Sequence, residues 1–326
     1  MVVINHNIKF ILSFLFLVSL YANESYIDVI TTNDMHGFLN EQDAFFMNPN
    51  FPPKIMGGAA FIEYINQIKK KLTSVSNNML ILDGGNFFQG HPVGILDSGR
   101  TMIEWMNKVG YDAIVPAQND FLFGYENLIS LSKQANFPFL AANIIDSNGD
   151  NIFDPYTILN IKNVKIGVIG IAGDVINESV LKQNIDGIKI LSSAETMQNW
   201  VSQLKQMDVD IIVVLTSAGV PWDRDKVYNK FIANDKNEEN ILNAIQLGYY
   251  AENVDFIISG GISKGYRSPW YDKNSHTYIF QNYGNGTGFG HFKLKFDKKE
   301  KTFIGYESAV KNDISQTLFL DDFNYD

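Results

Sequence analysis

The segment "TTNDMHGFL" places Asp34 and His36 two residues apart, in a loop that follows the apolar run "YIDVI". A carboxylate and an imidazole at that spacing form half of a divalent-metal site. Completing the site takes further carboxylate, amide or imidazole groups, and the chain is poor in them. It has five histidines and no cysteine. His6 lies in an apolar leader and His276 in a polar turn, while His91 and His291 each follow a glycine-containing stretch. These last two are the histidines that could approach such a site, although a lone imidazole is more often a surface residue. By itself, an Asp-x-His pair is more often a loop cap beside a satisfied buried His than a pair of ligands.

The elements that must position these residues alternate between apolar runs and helical patterns. Strands are expected at "YIDVI" (26–30), "MLILD" (79–83), "DAIVPA" (112–117), "FPFLAA" (137–142), "VKIGVIG" (164–170), "VDIIVVLT" (209–216) and "VDFIISG" (254–260). Most are continuous apolar runs, the mark of strands buried on both faces. Helices are expected at 57–72, with Phe61, Tyr64, Ile65, Ile68 and Leu72 on one face, and at 101–110, closed by Gly110. Two more are expected over 192–206 and 238–252. After residue 276, "HTYIFQ", "GHFKLKF" and "TFIGYES" read as antiparallel strands, and the proline-rich stretch 40–55 reads as an insertion. The fold class is α/β or α+β in packed layers.

Bulk properties narrow the function classes. The first 22 residues carry one charged side chain, Lys9, then "FILSFLFLVSL" and "YANES". That is the pattern of a secretory signal, too short for a spanning helix, and it implies an exported protein, periplasmic or extracellular. Lack of cysteine excludes disulfides, a lipoprotein anchor and thiolate metal sites. A net charge of −10 argues against nucleic acid and against anionic lipid. Residues 23–326 are expected to form one domain, with no composition break inside them.

Five segments sit where strands end, the usual place for ligands in α/β folds. They are "TNDMHG" (32–37), "LDGGNFFQG" (82–90), "PAQNDFLFG" (116–124), "VVLTSAG" (213–219) and "ISGGISKG" (258–265). In this order, and together with "IEWMNKVGYDA", "FLFGYENL", "AANI" and "IGVIGIAGD", they resemble the exported 5'-nucleotidase branch of the calcineurin-like metallophosphoesterases. The resemblance implies a four-layer α-β-β-α sandwich with two divalent metals that clamp a phosphoryl oxygen and activate a hydroxide. It also implies that the nucleoside-recognising C-terminal domain of that branch is absent.

Carried over residue by residue, the resemblance gives Asp34 and His36 as retained metal ligands. Asn86 stands at the family's bridging Asp, Gln118 at an amide ligand, and Asn119 at a catalytic His. Ser217, Gly261 and Ser263 stand at three His ligands. Six of the eight positions are therefore changed. Asn86 cannot supply the bridging charge, and each lost ligand weakens metal affinity by about 10–100-fold. The expectation is a family member that is catalytically silent or strongly impaired and binds a small phosphorylated or nucleotide-like ligand in its cleft. The alternative is a phosphoesterase using one weakly bound divalent ion (Mg2+, Mn2+, Zn2+ or Ca2+) at Asp34 and His36. Asp83 and Asp120 would then be helpers, although both read first as loop-holding residues. A purely structural role is the third reading. Rings at Phe87, Phe88, Phe121, Tyr266 and Trp270 are expected to line a binding cleft, with Arg267 meeting an anion.

Overall fold

The structure is a computed structural model that describes residues 24–71, 79–234, 241–310 and 312–322. The expected signal (1–22), Leu72 and residues 238–240 lie outside the described residues.

Two mixed sheets face each other. In the first, β1 (Glu24–Thr32) runs parallel to β4 (Met79–Asp83), which pairs with β5 (Ala113–Ile114). The other edge of β1 pairs antiparallel with β14 (Phe289–Asp297), which also carries β15 (Phe303–Ser308) and β16 (Ser315–Gln316). The second sheet has the order β12 (Trp270–Tyr271), β13 (Tyr278–Phe280), β11 (Phe256–Ser259), β10 (Ile211–Thr216), β8 (Val164–Ile171), β7 (Tyr156–Ile161). Two small ribbons stand apart, β2 (Gln42–Asp43) with β3 (Lys54–Ile55), and β6 (Ile144–Asp146) with β9 (Ile188–Ile190).

Period-2 alternation sorts the side chains of β1 and β14. Val29, Phe292, Leu294 and Phe296 turn inward, and Phe292 stacks on Phe280 of the second sheet at a centroid distance of 4.0 Å. The opposite faces carry the helices. Against the first sheet lie α1 (Gly58–Lys71) and, past the short α2 (Pro92–Ile95), α3 (Arg100–Val109) and α4 (Tyr125–Ser132). The second sheet is covered by α6 (Ser193–Gln206) and α8 (Ala244–Tyr249), with α5 (Ile176–Ser179) and α7 (Arg224–Ala233) beside them. The fold is the expected four-layer α-β-β-α sandwich. Gly110 closes α3 in the left-handed region, φ 85°, as its place in the sequence suggested. No helix among the described residues is long and apolar enough to cross a membrane.

Three expectations need correction. "FPFLAA" forms no strand; Leu140 N–H donates to Ile114 O and Ala142 N–H to Gly170 O, so the segment crosses between the sheets. Only Ala113–Ile114 of "DAIVPA" is strand. β13 is not antiparallel to β14: it joins the second sheet parallel to β11, with Tyr278 and Phe280 in the aromatic core.

One device recurs in both sheets. An Asp just before a strand accepts a backbone N–H from the neighbouring parallel strand: Asp112 from Ile81, Asp210 from Lys165, Asp255 from Ile212. Desolvation pushes the Asp255 carboxyl up to about 6, outweighing the bond from Ile212 that lowers it. The folded state therefore binds this proton more tightly than the unfolded chain. Stability from this group is greatest below about pH 4, falls as pH rises to about 6, and is flat beyond. Asp255→Asn keeps the acceptor and removes the titration. At about pH 8 its urea-unfolding free energy should exceed the wild type's by roughly 1–2 kcal/mol, discounted for partial solvent screening, and near about pH 4 the two should agree. A difference independent of pH would show that Asp255 does not titrate with folding.

Candidate functional site

The Asp34 loop follows β1 and is zipped to the loop after β4. Asp34 N–H donates to Gly85 O (2.8 Å), His36 N–H to Asn86 O (2.9 Å) and Gly37 N–H to Phe87 O (2.9 Å). Asp34, His36 and Asn86 all adopt left-handed backbone, φ 51°, 50° and 56°. Non-glycine residues there cost about 1 kcal/mol each and concentrate at functional sites.

The Asp34 carboxylate is 1% exposed and surrounded by amide donors. Oδ1 accepts from Asn86 Nδ2 at 2.7 Å; Oδ2 accepts from Asn33 Nδ2 at 2.7 Å and from Gly261 N–H at 3.1 Å. Burial raises its pKa, against the lowering effect of these bonds and of His36. His36 Nδ1 lies 2.7 Å from Gln89 O, and a carbonyl can only accept. Nε2 lies 3.9 Å from Asp34 Oδ1 and 3.5 Å from Ser263 Oγ, and carries the lone pair whenever the imidazole is neutral.

The remaining positions converge on this carboxylate. Asn86 Oδ1 accepts from Asn119 N–H at 2.9 Å, so the Asn86 amide is fixed with its oxygen toward Asn119 and its NH2 toward Asp34. Gln118 Nε2 donates to Gly261 O at 3.1 Å, and its Oε1 is buried without a partner. Ser217 Oγ donates to Pro116 O and accepts from Gly173 N–H, both at 2.9 Å. Gly261 has φ 96°, and a Cβ there would stand 2.2 Å from Ser217 O.

Two acids hold the loops, as the sequence suggested. Asp120 accepts from Ala117, Asn86 and Phe87 N–H, and burial still pushes its pKa up to about 7. Asp83 accepts from Thr32 Oγ1 and Gly85 N–H, and burial raises its pKa well above the usual range.

The structure thus brings Asp34, His36, Asn86, Gln118, Asn119, Ser217, Gly261 and Ser263 into one contact network. It leaves other expected residues out. Phe88 is fully buried, packed on Phe87, Phe123 and the Gly99 turn, and Phe87 and Phe121 are fully buried too, because the loop bonds turn these rings into the core. Arg267 is 83% exposed and pairs with Asp313, Nε 3.5 Å from Oδ2. His91 caps α2, its Nδ1 accepting from Val93 N–H, and its ring sits against Phe38. His291 turns to the helix face of β14 instead. His276 stays in its turn beside Tyr271.

Sequence reasoning missed Asn33, whose Nδ2 satisfies Asp34 while its Oδ1 accepts from Asn282 N–H. It named Tyr266 but missed the residues beside it, where Lys264 Nζ lies 4.9 Å from the centroid of Trp222, 5.6 Å from Tyr283 and 5.8 Å from Tyr266. Nothing in a lone Asn or Trp signals such a position; only adjacency to the motifs could have hinted at it.

The donor set does not fit a dinuclear metal centre. Among the described residues no group of three or more His, Cys, Asp or Glu could hold a metal ion. The NH2 of Asn86 presents hydrogens to the carboxylate oxygen that a cation would need.

No family model matches the chain. Individual proteins do. A 5'-nucleotidase of Vibrio cholerae is 26% identical over 314 residues, covering 89% of this chain and 53% of that protein. A 5'-nucleotidase precursor of Thermus thermophilus superposes with a TM-score of 0.68 at 18% identity, covering 90% of this chain and 54% of that one. The calcineurin-like phosphoesterase YfkN of Bacillus subtilis superposes with a TM-score of 0.64 at 21% identity, covering 91% of this chain and 92% of that one. Over most of its length the chain is similar to 5'-nucleotidases, and its fold is that of the calcineurin-like phosphoesterases. It spans about half the length of the curated 5'-nucleotidases it matches.

Of the positions in this network, Gly261 is the one that tolerates a side chain least. The carbonyl of Ser217 and the positive φ together exclude any side chain at this position. Gly261→His, which would place the expected imidazole at this position, should lower the urea-unfolding free energy by about 3 kcal/mol or more. Wild-type stability in that variant would show that the loop relaxes to admit an imidazole.

Proposed function

We propose that this chain is an exported metallophosphoesterase-fold protein in which amide hydrogen bonds have taken over the place of the metals, and that it binds a small phosphorylated or nucleotide-like ligand without hydrolysing it. The observation that carries this reading is the 2.7 Å bond from Asn86 Nδ2 to Asp34 Oδ1. A neutral NH2 there satisfies the carboxylate without a cation, and the same amide's only oxygen is engaged by Asn119. Beside the network, His36 Nε2, Ser263 Oγ and Lys264 among its rings are the groups that would meet a polar ligand.

A second reading, an impaired hydrolase with one ion, is favoured by a separate observation. Asp34 Oδ1 and His36 Nε2 still face each other at 3.9 Å, and Gln118 Oε1 is a hard donor with no partner. Asp34, His36 and Gln118 would hold that ion, which would supply positive charge to a phosphoryl oxygen.

Metal content after incubation with Mn2+, Zn2+ and Mg2+ in turn, read with p-nitrophenyl phosphate hydrolysis, separates the readings. The expected result is less than one equivalent of any ion and no hydrolysis above buffer, unchanged by Asp34→Ala. One equivalent with hydrolysis that Asp34→Ala abolishes would favour the second reading. Two equivalents would overturn the first.

Asn86→Asp provides an independent check. It sets two carboxylates against each other where a donor met an acceptor, and should cost roughly 2–4 kcal/mol near pH 8. Its melting temperature should rise with added Mn2+, while the wild type's should be indifferent to Mn2+ and to EDTA. A wild-type protein destabilised by EDTA would contradict the amide-replacement reading.

A further inference from the structure

A second polar cluster lies outside the network described above, on the helix face of the first sheet. His291 of β14 stands opposite Ile30 in register, and Asp28 of β1 stands opposite Lys293, so Asp28 and His291 are diagonal neighbours on one face. His291 Nε2 is 2.9 Å from Asp28 Oδ1, and His291 Nδ1 is 2.7 Å from the hydroxyl of Tyr64 on α1. Asp28 and His291 are 5% and 6% exposed. Tyr64 is half-buried and opens onto a cavity of about 300 Å³, lined among the described residues by Asp28, Tyr64, Gln67, Ile68, Lys71, His291, Lys293 and Ala309. Nothing in the proposed phosphoesterase cleft uses these groups.

We infer that this cavity is a small-anion site whose affinity is coupled to one proton on His291 through the direction of the Tyr64 hydroxyl. The two ammonium groups, Lys71 and Lys293, set the sign of the ligand. Asp28 also lines the cavity, but its Oδ1 is engaged by His291 Nε2 at 2.9 Å. The hydroxyl decides the rest. With a neutral imidazole, Nε2–H donates to Asp28 and bare Nδ1 accepts the Tyr64 proton. Tyr64 then shows the cavity only lone pairs, which repel an anion. With a proton added from solvent at Nδ1, both ring nitrogens donate. Nδ1–H points to the Tyr64 oxygen, and the hydroxyl is free to turn its own hydrogen into the cavity. Anion binding and protonation therefore favour each other, with one proton taken up per anion.

The charges around the relay are consistent with this polarity. The groups on His291 are Asp28 from β1 and Tyr64 from α1; Lys293 from β14 and Lys71 from the end of α1 face the cavity, and Glu307 of β15, opposite Lys293 in register, accepts from the Tyr26 hydroxyl. Lys162, in the turn between β7 and β8, feels both Asp28 and Lys293. Burial, with a smaller contribution from Asp28, pushes the Tyr64 phenol up to about 12, so Tyr64 keeps its proton throughout and can only redirect it.

Sulfate is the probe, because it does not titrate in the range needed. Calorimetric titration of the full chain at about pH 5.5 and about pH 8, in two buffers of different ionisation enthalpy, reads affinity and proton uptake together. The expected result is binding at least about tenfold tighter at the lower pH, with close to one proton taken up per sulfate between the two pH values. Lys293→Gln should weaken binding at both pH values. Tyr64→Phe, which keeps the cavity and the Asp28–His291 pair, should remove the proton linkage and most of the preference for low pH. Matching melting curves for the two variants would exclude misfolding as the cause. Three outcomes would overturn the proposal: no sulfate binding at either pH, binding indifferent to Lys293→Gln and so seated elsewhere, or proton uptake that survives Tyr64→Phe.

Discussion

The Asp34 carboxylate and its three N–H donors are the interaction on which the rest of this end of the molecule depends. A carboxylate buried to 1% exposure must be paired, bound to a cation or fully hydrogen-bonded. Here Asn86, Asn33 and Gly261 supply the donors. Asn33 and Asp34 follow β1, Asn86 follows β4, and Gly261 follows β11 of the other sheet. One side chain thus joins the loops of both sheets, and Gln118 extends the joint by donating to Gly261 O. The rest of the sandwich is held by apolar contact, which resists separation but does not fix the loops in register.

Electrostatics at this joint differ from those of a metal centre. Two divalent ions would bring about four positive charges and would be matched by anionic and imidazole ligands. Here Asp34 is held by dipolar amides, and three buried acids share the neighbourhood. Burial raises the pKa of Asp34, Asp83 and Asp120, so each is driven toward its neutral form. Asp83 and Asp120 nevertheless keep loop-holding bonds that do not require charge. The loops are tied by backbone amides as well as by the side chains of the network.

The outer face of the first sheet follows the opposite logic. Asp28, His291 and Tyr64 form a chain of groups that can carry charge and whose hydrogens can be redistributed, beside two lysines. Replacing buried ionisable groups by apolar residues is often neutral or stabilising. Their presence in a strand face otherwise packed by Phe61 and Phe289 is what makes the cavity chemically distinct from the core beside it.

The sequence by itself determined most of the fold. Continuous apolar runs located β4, β8, β10 and β11 to within a residue or two, since a strand buried on both faces has few other readings. Apolar spacing and Gly110 located α1 and α3. It also identified the eight positions that meet at the site, through motifs at strand ends. Tertiary structure decided what could not be local. "FPFLAA" is as apolar as any strand, yet it bridges the sheets, because its amides find carbonyls on both. Phe87, Phe88 and Phe121 sit in the loop motifs, yet backbone bonds to Asp120 and to the Asp34 loop turn them inward. The direction of the Asn86 amide depends on a donor thirty-three residues away in sequence and an acceptor fifty-two away. His291 meets Asp28 across two hundred and sixty-three residues. Side-chain type and period are written along the chain, whereas the partner that satisfies a buried polar group is fixed only when distant segments are packed together.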